Sequence, residues 1–240
     1  MWKSLLASLF LATAALAQEN PSAYEALRVV GTQSNRDLMS RVISVTGVDG
    51  DPQPRSWKIL VGDRSANGGV REIIVENNRI ASQRVPNRSV VGSTEGNIIS
   101  TARLNLDSTG AYAVASHTAE TSHVVFSLVS YTLRTDERGN PTWIVTLEDR
   151  SRKPLGTIHI KANDGRISRV EGMYQGRNME QVEDDREHAD TRDVQSDENP
   201  DDNVVKRNIK RLFRKTKEDS SRIFNKVRRS FADFIAPREN

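Results

Sequence analysis

Four histidines, His117, His123, His159 and His188, and a scatter of carboxylates are the side chains best equipped for chemistry, and their spacing fits no standard arrangement. No two histidines stand four apart, as the helical ligand pair of a zinc protease requires. His159 alternates with Ile158 and Ile160, which places it on the solvent side of a strand, and His117 and His123 flank a helix-to-strand turn. Asp49, Gly50 and Asp51 open like a calcium loop, but the later oxygen ligands are missing, so a turn is expected there. In Gly92-Ser93-Thr94-Glu95-Gly96 the serine is not midway between the glycines, as a nucleophile elbow needs, and no Gly-Lys-Ser/Thr follows to form a phosphate loop. The chain has no cysteine, which removes disulfides, thiol nucleophiles and thiolate zinc sites. No catalytic residue, metal ligand or cofactor is therefore assigned. An enzyme would need a pocket of convergent titratable groups that the linear order does not reveal.

The elements that could position any site are encoded in 240 residues with 35 Lys+Arg, 32 Asp+Glu and a formal charge of +3, so bulk charge selects no partner. An apolar share of 36% with 28% charged residues indicates a modest core carrying a polar extension. Residues 1–17 combine Lys3, an apolar run from Leu5 to Leu16 and the small-residue pattern Ala15-Leu16-Ala17, which reads as a secretory signal peptide. The run is shorter than the roughly 18 apolar residues that span a bilayer. The expected product is exported, periplasmic or extracellular, and soluble or peripherally bound.

The middle of the chain repeats itself. Trp57, Asp63, Arg64 and Ser65 recur 86 residues later as Trp143, Asp149, Arg150 and Ser151; after one inserted residue, Gly69, Ile73, Arg79 and Ile80 match Gly156, Ile160, Arg166 and Ile167. Ordered matches at so long a period point to a duplicated domain rather than a solenoid. Trp57, Ile59 and Val61 alternate with polar neighbours, as do Trp143, Val145 and Leu147, so these six are the expected core of two strands. Longer β-rich runs, Arg36 to Val48 and His123 to Arg134, precede them, and Leu155 to Ala162 and Arg166 to Val170 follow, with Asp164-Gly165 as a primed turn and Asn77-Asn78 in the same role. Pro21 to Val30 and Ser108 to Ala119 are the helical candidates, the second capped by Asp107 or Ser108. Ile98 to Leu106 is expected to lead the second copy as a strand. The predicted fold class is α+β: two repeated units, 18–87 and 107–174, each one helix packed on an antiparallel meander, joined by the connector 88–106.

The stretch from Trp143 through Asp149-Arg150-Ser151, Gly156, Ile158, Ile160, Ala162, Asn163-Asp164-Gly165 and Ile167 resembles the closing hairpin of PepSY-like domains, and Leu104 to Ala115 resembles the strand and helix that open one. The resemblance implies tandem cystatin-like α+β modules of a non-enzymatic kind, related to segments of peptidase propeptides and of bacterial periplasmic or surface proteins, with no catalytic residues to carry over.

The tail changes sign. From Glu180 to Asp202 eleven acidic residues face Arg186 and Arg192, 2 − 11 = −9, a composition that marks 175–203 as a self-repelling disordered linker. From Asn203 to Asn240 twelve Lys+Arg face four acids, 12 − 4 = +8. Over 204–235, Ile209, Leu212, Phe213, Ile223, Phe224, Val227, Phe231 and Phe234 recur at three- and four-residue steps, while Lys206, Arg207, Lys210, Arg211, Arg214, Lys215, Lys226, Arg228 and Arg229 fill the other arc. A basic amphipathic helix behind a disordered linker has no core of its own to dock on, and an anionic membrane surface would satisfy both its faces. Folding back onto the body, self-association, and binding of another polyanion or an envelope protein stay open. Export argues against nucleic acid as a specific partner, although basic stretches bind it nonspecifically. The rival function is an inhibitor-like or chaperone-like pair that takes an extended polypeptide by strand addition at a sheet edge.

Overall fold

Ser22 and Glu25 decide where the first helix begins. In the computed structural model, which describes residues 20–66, 68–86, 98–173, 182–183, 214–215 and 218–235, the Glu25 N–H donates to Ser22 Oγ at 3.3 Å. The Ser22 N–H donates to the Glu25 carboxylate at 2.8 Å, which completes a capping box. Helix α1 therefore spans Ala23–Gln33, starting just beyond Pro21, and buries Tyr24, Leu27 and Val30 on one stripe. Asp107 caps α2, Ser108–Thr121. The run expected to be extended from Arg36 begins instead as a 3₁₀ turn, Arg36–Arg41, because Asn35 Oδ1 accepts the Asp37 N–H at 2.8 Å and caps it.

The strands are β1 (Val42–Gly50), β2 (Ser56–Gly62), β3 (Val70–Glu76), β4 (Arg79–Arg84), β5 (Leu128–Thr135), β6 (Pro141–Glu148), β7 (Pro154–Lys161), β8 (Ile167–Glu171) and a two-residue β9 (Val182–Glu183). They form one antiparallel sheet in the order β4-β3-β2-β1-β5-β6-β7-β8-β9. The joint is β1 against β5, with Val45 opposite Leu133 and Thr46 opposite Thr132, so the sheet and its core run through the centre without a break. Trp57, Ile59, Val61, Trp143, Val145 and Leu147 are all fully buried. Trp57, Trp143 and Tyr131 meet with ring centroids 5.8–6.5 Å apart. Gly47 makes room for them: a Cβ there would stand 2.9 Å from the Trp57 ring. Each indole N–H donates to the carbonyl immediately before a helix cap, Trp57 to Pro21 and Trp143 to Leu106, both at 2.8 Å, fastening strand to helix start.

Turn chemistry departs from expectation in one place. Asn77 and Asn78 both have positive φ and close β3 onto β4 as a two-residue primed turn, with Glu76 paired to Arg79. At Asp164-Gly165 only the glycine is left-handed; Gly165 N–H donates to Lys161 O and Lys161 N–H to Arg166 O, a wider loop that the bulge at His159/Ile160 requires. At the β2–β3 loop Asp63 accepts from both the N–H (2.9 Å) and hydroxyl (2.6 Å) of Ser65, and Asp149 repeats this with Ser151 at 2.7 and 2.6 Å. Bonds from the Ser65 hydroxyl, then from Arg71, hold the Asp63 carboxyl down to about 2, and the Ser151 hydroxyl lowers Asp149 in the same sense.

The leading strand expected at Ile98 to Leu106 does not form. This connector contains a 3₁₀ turn, Thr101–Arg103, and is tied by isolated bonds, Ile99 N–H to Val42 O and Asn105 N–H to Ala162 O, while Ile99, Leu104 and Leu106 are buried in the core. Within the acidic stretch, 182–183 pair with β8. The signal-peptide segment 1–17, most of 175–203, and Lys206, Arg207, Ile209, Lys210, Arg211, Leu212 and Phe213 lie outside the described residues.

The basic tail, expected as one helix that either meets a membrane surface or folds back onto the body, is divided and docked on the body. Residues 218–227 are helical (α3), 228–230 are not, and α4 spans Phe231–Ile235. The break occurs where the Arg229 N–H donates to Asn105 O at 3.0 Å and the Phe231 N–H to Leu104 O at 2.8 Å, an alternative to helical pairing. Phe224 and Phe231 are 7% and 1% exposed, and Ile223, Val227, Phe234 and Ile235 pack against the same core. Two glycines shape the seat: a Cβ at Gly165 would overlap the Phe224 ring, and one at Gly110 would crowd Val227. Gly165→Ala adds that overlap to a left-handed φ of 68°, which costs about 1–2 kcal/mol for a residue with a Cβ. The variant is expected to release α3, read as faster tryptic cleavage at Arg222 and Lys226; an unchanged cleavage rate would contradict this packing.

Candidate functional site

Two features could carry function: the outward face of the tail and a cleft beneath it. On the tail, Phe224, Phe231 and their apolar neighbours face the body, which leaves Arg214, Lys215, Arg222, Lys226, Arg228 and Arg229 exposed. Asp219 links the tail to α2: its carboxylate lies 3.4 Å from His117 Nε2 on α2 and 3.7 Å from the Arg222 guanidinium one turn on. Phe234 sits between Arg28 on α1 and Arg229, whose guanidinium carbons are 5.3 and 4.4 Å from its ring centroid. The residues assigned to lipid contact therefore divide by chemistry. The described aromatic and aliphatic members belong to the core of the chain, and the described cations remain at the surface.

The cleft has a volume of about 540 Å³ and lies where both helices begin. Asp107 organises it. One carboxylate oxygen accepts from the N–H groups of Ser108 (2.7 Å) and Tyr24 (2.9 Å), so a single side chain caps α2 and reaches the first turn of α1. Ser108 Oγ in turn accepts the Ala23 N–H at 3.0 Å and donates to Gln53 Oε1 at 2.7 Å. The loop 51–53 forms the floor, held by Tyr131, whose hydroxyl donates to Pro52 O at 2.6 Å. From the tail, Val227, Arg229 and Phe234 close one side.

Burial pushes the Asp107 carboxyl up to about 6, against the opposing pull of its hydrogen bonds from Ser22, Ser108 and Tyr24, and Glu25 adds a like charge. Burial also raises the hydroxyls of Tyr24 and Tyr131, with the Asp107 charge reinforcing both. The folded state thus holds Asp107's proton to higher pH than the unfolded chain, so the stabilising protonation is complete below about pH 4 and is lost as pH rises through 6. Asp107→Asn keeps an oxygen for Tyr24 and Ser108 and abolishes the titration. Urea unfolding should show this variant at least as stable as wild type at neutral pH, by up to about 3 kcal/mol, with a flatter pH dependence between 4 and 6. A large loss of stability at neutral pH with the slope retained would contradict this reading.

The sequence points to Asp107 only as a helix cap. Nothing in linear order brings together residues near 22, 52, 107 and 229. Among the described residues no group of three or more His, Asp and Glu is placed to hold a metal ion, and His117, His123 and His159 stand apart on α2, after it and on β7. Comparison with protein-family models, with curated proteins and with solved structures finds no match to the chain.

Proposed function

We propose that the chain is a non-enzymatic, exported binding module that rests on an anionic membrane surface through the outward cations of its docked C-terminal helices. The observation that carries this reading is the division of the tail: Phe224 and Phe231 are buried against the body while Arg222, Lys226 and Arg228 project outward on the same short segment. Docking gives these charges a rigid platform. Each Lys or Arg near an anionic surface contributes about 1 kcal/mol, screened within a Debye length. Attachment is therefore electrostatic and reversible, in place of the insertion of an apolar stripe.

The body is read as two PepSY-like copies from an internal duplication. Support comes from the recurrence of one helix followed by four meandering strands, from the twin indole-to-carbonyl bonds of Trp57 and Trp143, and from the twin Asp–Ser turns at Asp63 and Asp149. A second reading, strand addition by an extended polypeptide, is favoured by β4, which ends the sheet order with Arg79 and 81–84 exposed.

Co-sedimentation with phosphatidylglycerol vesicles tests the first reading. Binding should fall steeply as salt rises, and reversing Arg222, Lys226 and Arg228 to Glu should weaken it at least about tenfold. Failure to bind at low salt, or binding indifferent to the reversals, would overturn it.

A further inference from the structure

The acidic stretch of the chain is bracketed by two anchors that meet on β8. Before it, Val182 and Glu183 pair antiparallel with Val170 and Arg169, so at Glu183 the backbone runs toward the start of β8. After it, Phe224 is buried over Gly165, in the turn that leads into β8. At about 3.4 Å per residue, Arg169 and Gly165 lie roughly 14 Å apart along the strand, so the two anchors are close neighbours. Between them, residues 184–202 hold nine acids against Arg186 and Arg192, 2 − 9 = −7, and the tail from 203 to 240 carries 12 − 4 = +8. The two charges nearly cancel.

The outward cations of the docked tail have little to pair with on the body. Among the described residues no carboxylate forms an ion pair with Arg214, Lys215, Lys226 or Arg228, and Arg222, its side chain 84% exposed, meets Asp219 only at 3.7 Å. Arg222 and Lys226 stand four apart on α3, a like-charge spacing that disfavours a helix until an anion lies between them. The acidic stretch has the matching sign and the reach. A flexible chain of nineteen residues spans about 22–26 Å in root-mean-square terms, close to the anchor separation plus the width of a helix. A tether matched to its span presents its charges at an effective concentration of about millimolar, far above that of any free peptide at ordinary protein concentrations. Several weak, exposed pairs then act together, although each alone contributes little.

We infer that residues 184–202 lie against the basic outer face of the tail as an intramolecular counterion, which an anionic surface must displace in order to bind. The displaced partner rests on the membrane reading above; the contact itself does not. Because the chain has no cysteine, Ser196→Cys carries a single nitroxide on the full chain. At low salt the label is expected to broaden the amide resonances of 222–229. The broadening should fall at least about threefold when Arg222, Lys226 and Arg228 are reversed to Glu, and likewise at about 0.5 M salt, where screening shortens to a few ångströms. Equal broadening in the reversed variant, or at high salt, would overturn the inference whatever the protein does on lipid. Vesicles test the competition. Asp190→Asn, Asp193→Asn, Asp197→Asn, Glu198→Gln, Asp201→Asn and Asp202→Asn together should tighten binding to phosphatidylglycerol vesicles about tenfold at low salt, with the difference from wild type shrinking as salt rises. Equal affinity of the two proteins would overturn the competition, whereas no binding by either would overturn the membrane reading and leave the contact to stand or fall on the nitroxide result.

Discussion

Trp143→Ala is expected to unfold the chain or bring it to the edge of unfolding. The indole is fully buried, touches Trp57 and Tyr131, and donates to Leu106 O at 2.8 Å. Truncating a buried aromatic to alanine costs about 3–5 kcal/mol through lost transfer energy and the cavity left behind. Abandoning the Leu106 carbonyl adds about 1–3 kcal/mol. The sum is comparable to the whole stability of a typical domain, about 5–15 kcal/mol. Trp143→Phe keeps most of the packing and loses the N–H, so its urea midpoint should lie between those of wild type and alanine. Because Trp57 and Trp143 share one cluster at the β1–β5 joint, alanine at both positions should cost less than the sum of the single effects. Full additivity would mean that the two halves have independent cores, contrary to the continuous sheet.

Phe231→Ala is the second large effect, and it is local. The ring is 1% exposed and meets Tyr24 edge-on at 5.0 Å, and its backbone N–H bonds Leu104 O. Loss of about 3–4 kcal/mol from a short docked segment exceeds what the remaining contacts of α3 and α4 are expected to hold, so the tail should detach while the sheet stays folded. The expected signature is rapid proteolysis after Arg228 and Arg229 with near-wild-type tryptophan fluorescence from the body. Global unfolding in step with detachment would show that the tail and the body are one cooperative unit.

The inward faces of β2 and β6 are legible in the sequence because strand alternation has a period of two and the large residues Trp57, Ile59 and Val61, and Trp143, Val145 and Leu147, mark it directly. The antiparallel α+β character follows from the same pattern. The amphipathic stripe of the tail is equally legible, but its destination is not. What receives it is a pair of missing side chains, Gly165 beneath Phe224 and Gly110 beside Val227, and an absent Cβ leaves no periodic mark. The turn at Asp164-Gly165 misleads because the Asx-Gly pair reports a left-handed residue and not the loop length, which the neighbouring bulge sets. Ile98 to Leu106 misleads because Leu104 and Leu106 alternate as a strand would, yet their neighbours pair with isolated carbonyls and not with a ladder. The cleft depends on Asp107 serving two helices about 85 residues apart, a long-range meeting of two caps each of which reads locally as ordinary.

Amide hydrogen exchange over residues 218–235, measured on the full chain alone and on phosphatidylglycerol vesicles, tests most directly whether the apolar side of the tail belongs to the body while its cations face outward. Docking predicts slow exchange at Phe224 and Phe231 in both conditions, with little change on vesicles. Fast exchange in free solution that becomes slow only on vesicles would contradict it, and would mean that the stripe is sheltered by lipid.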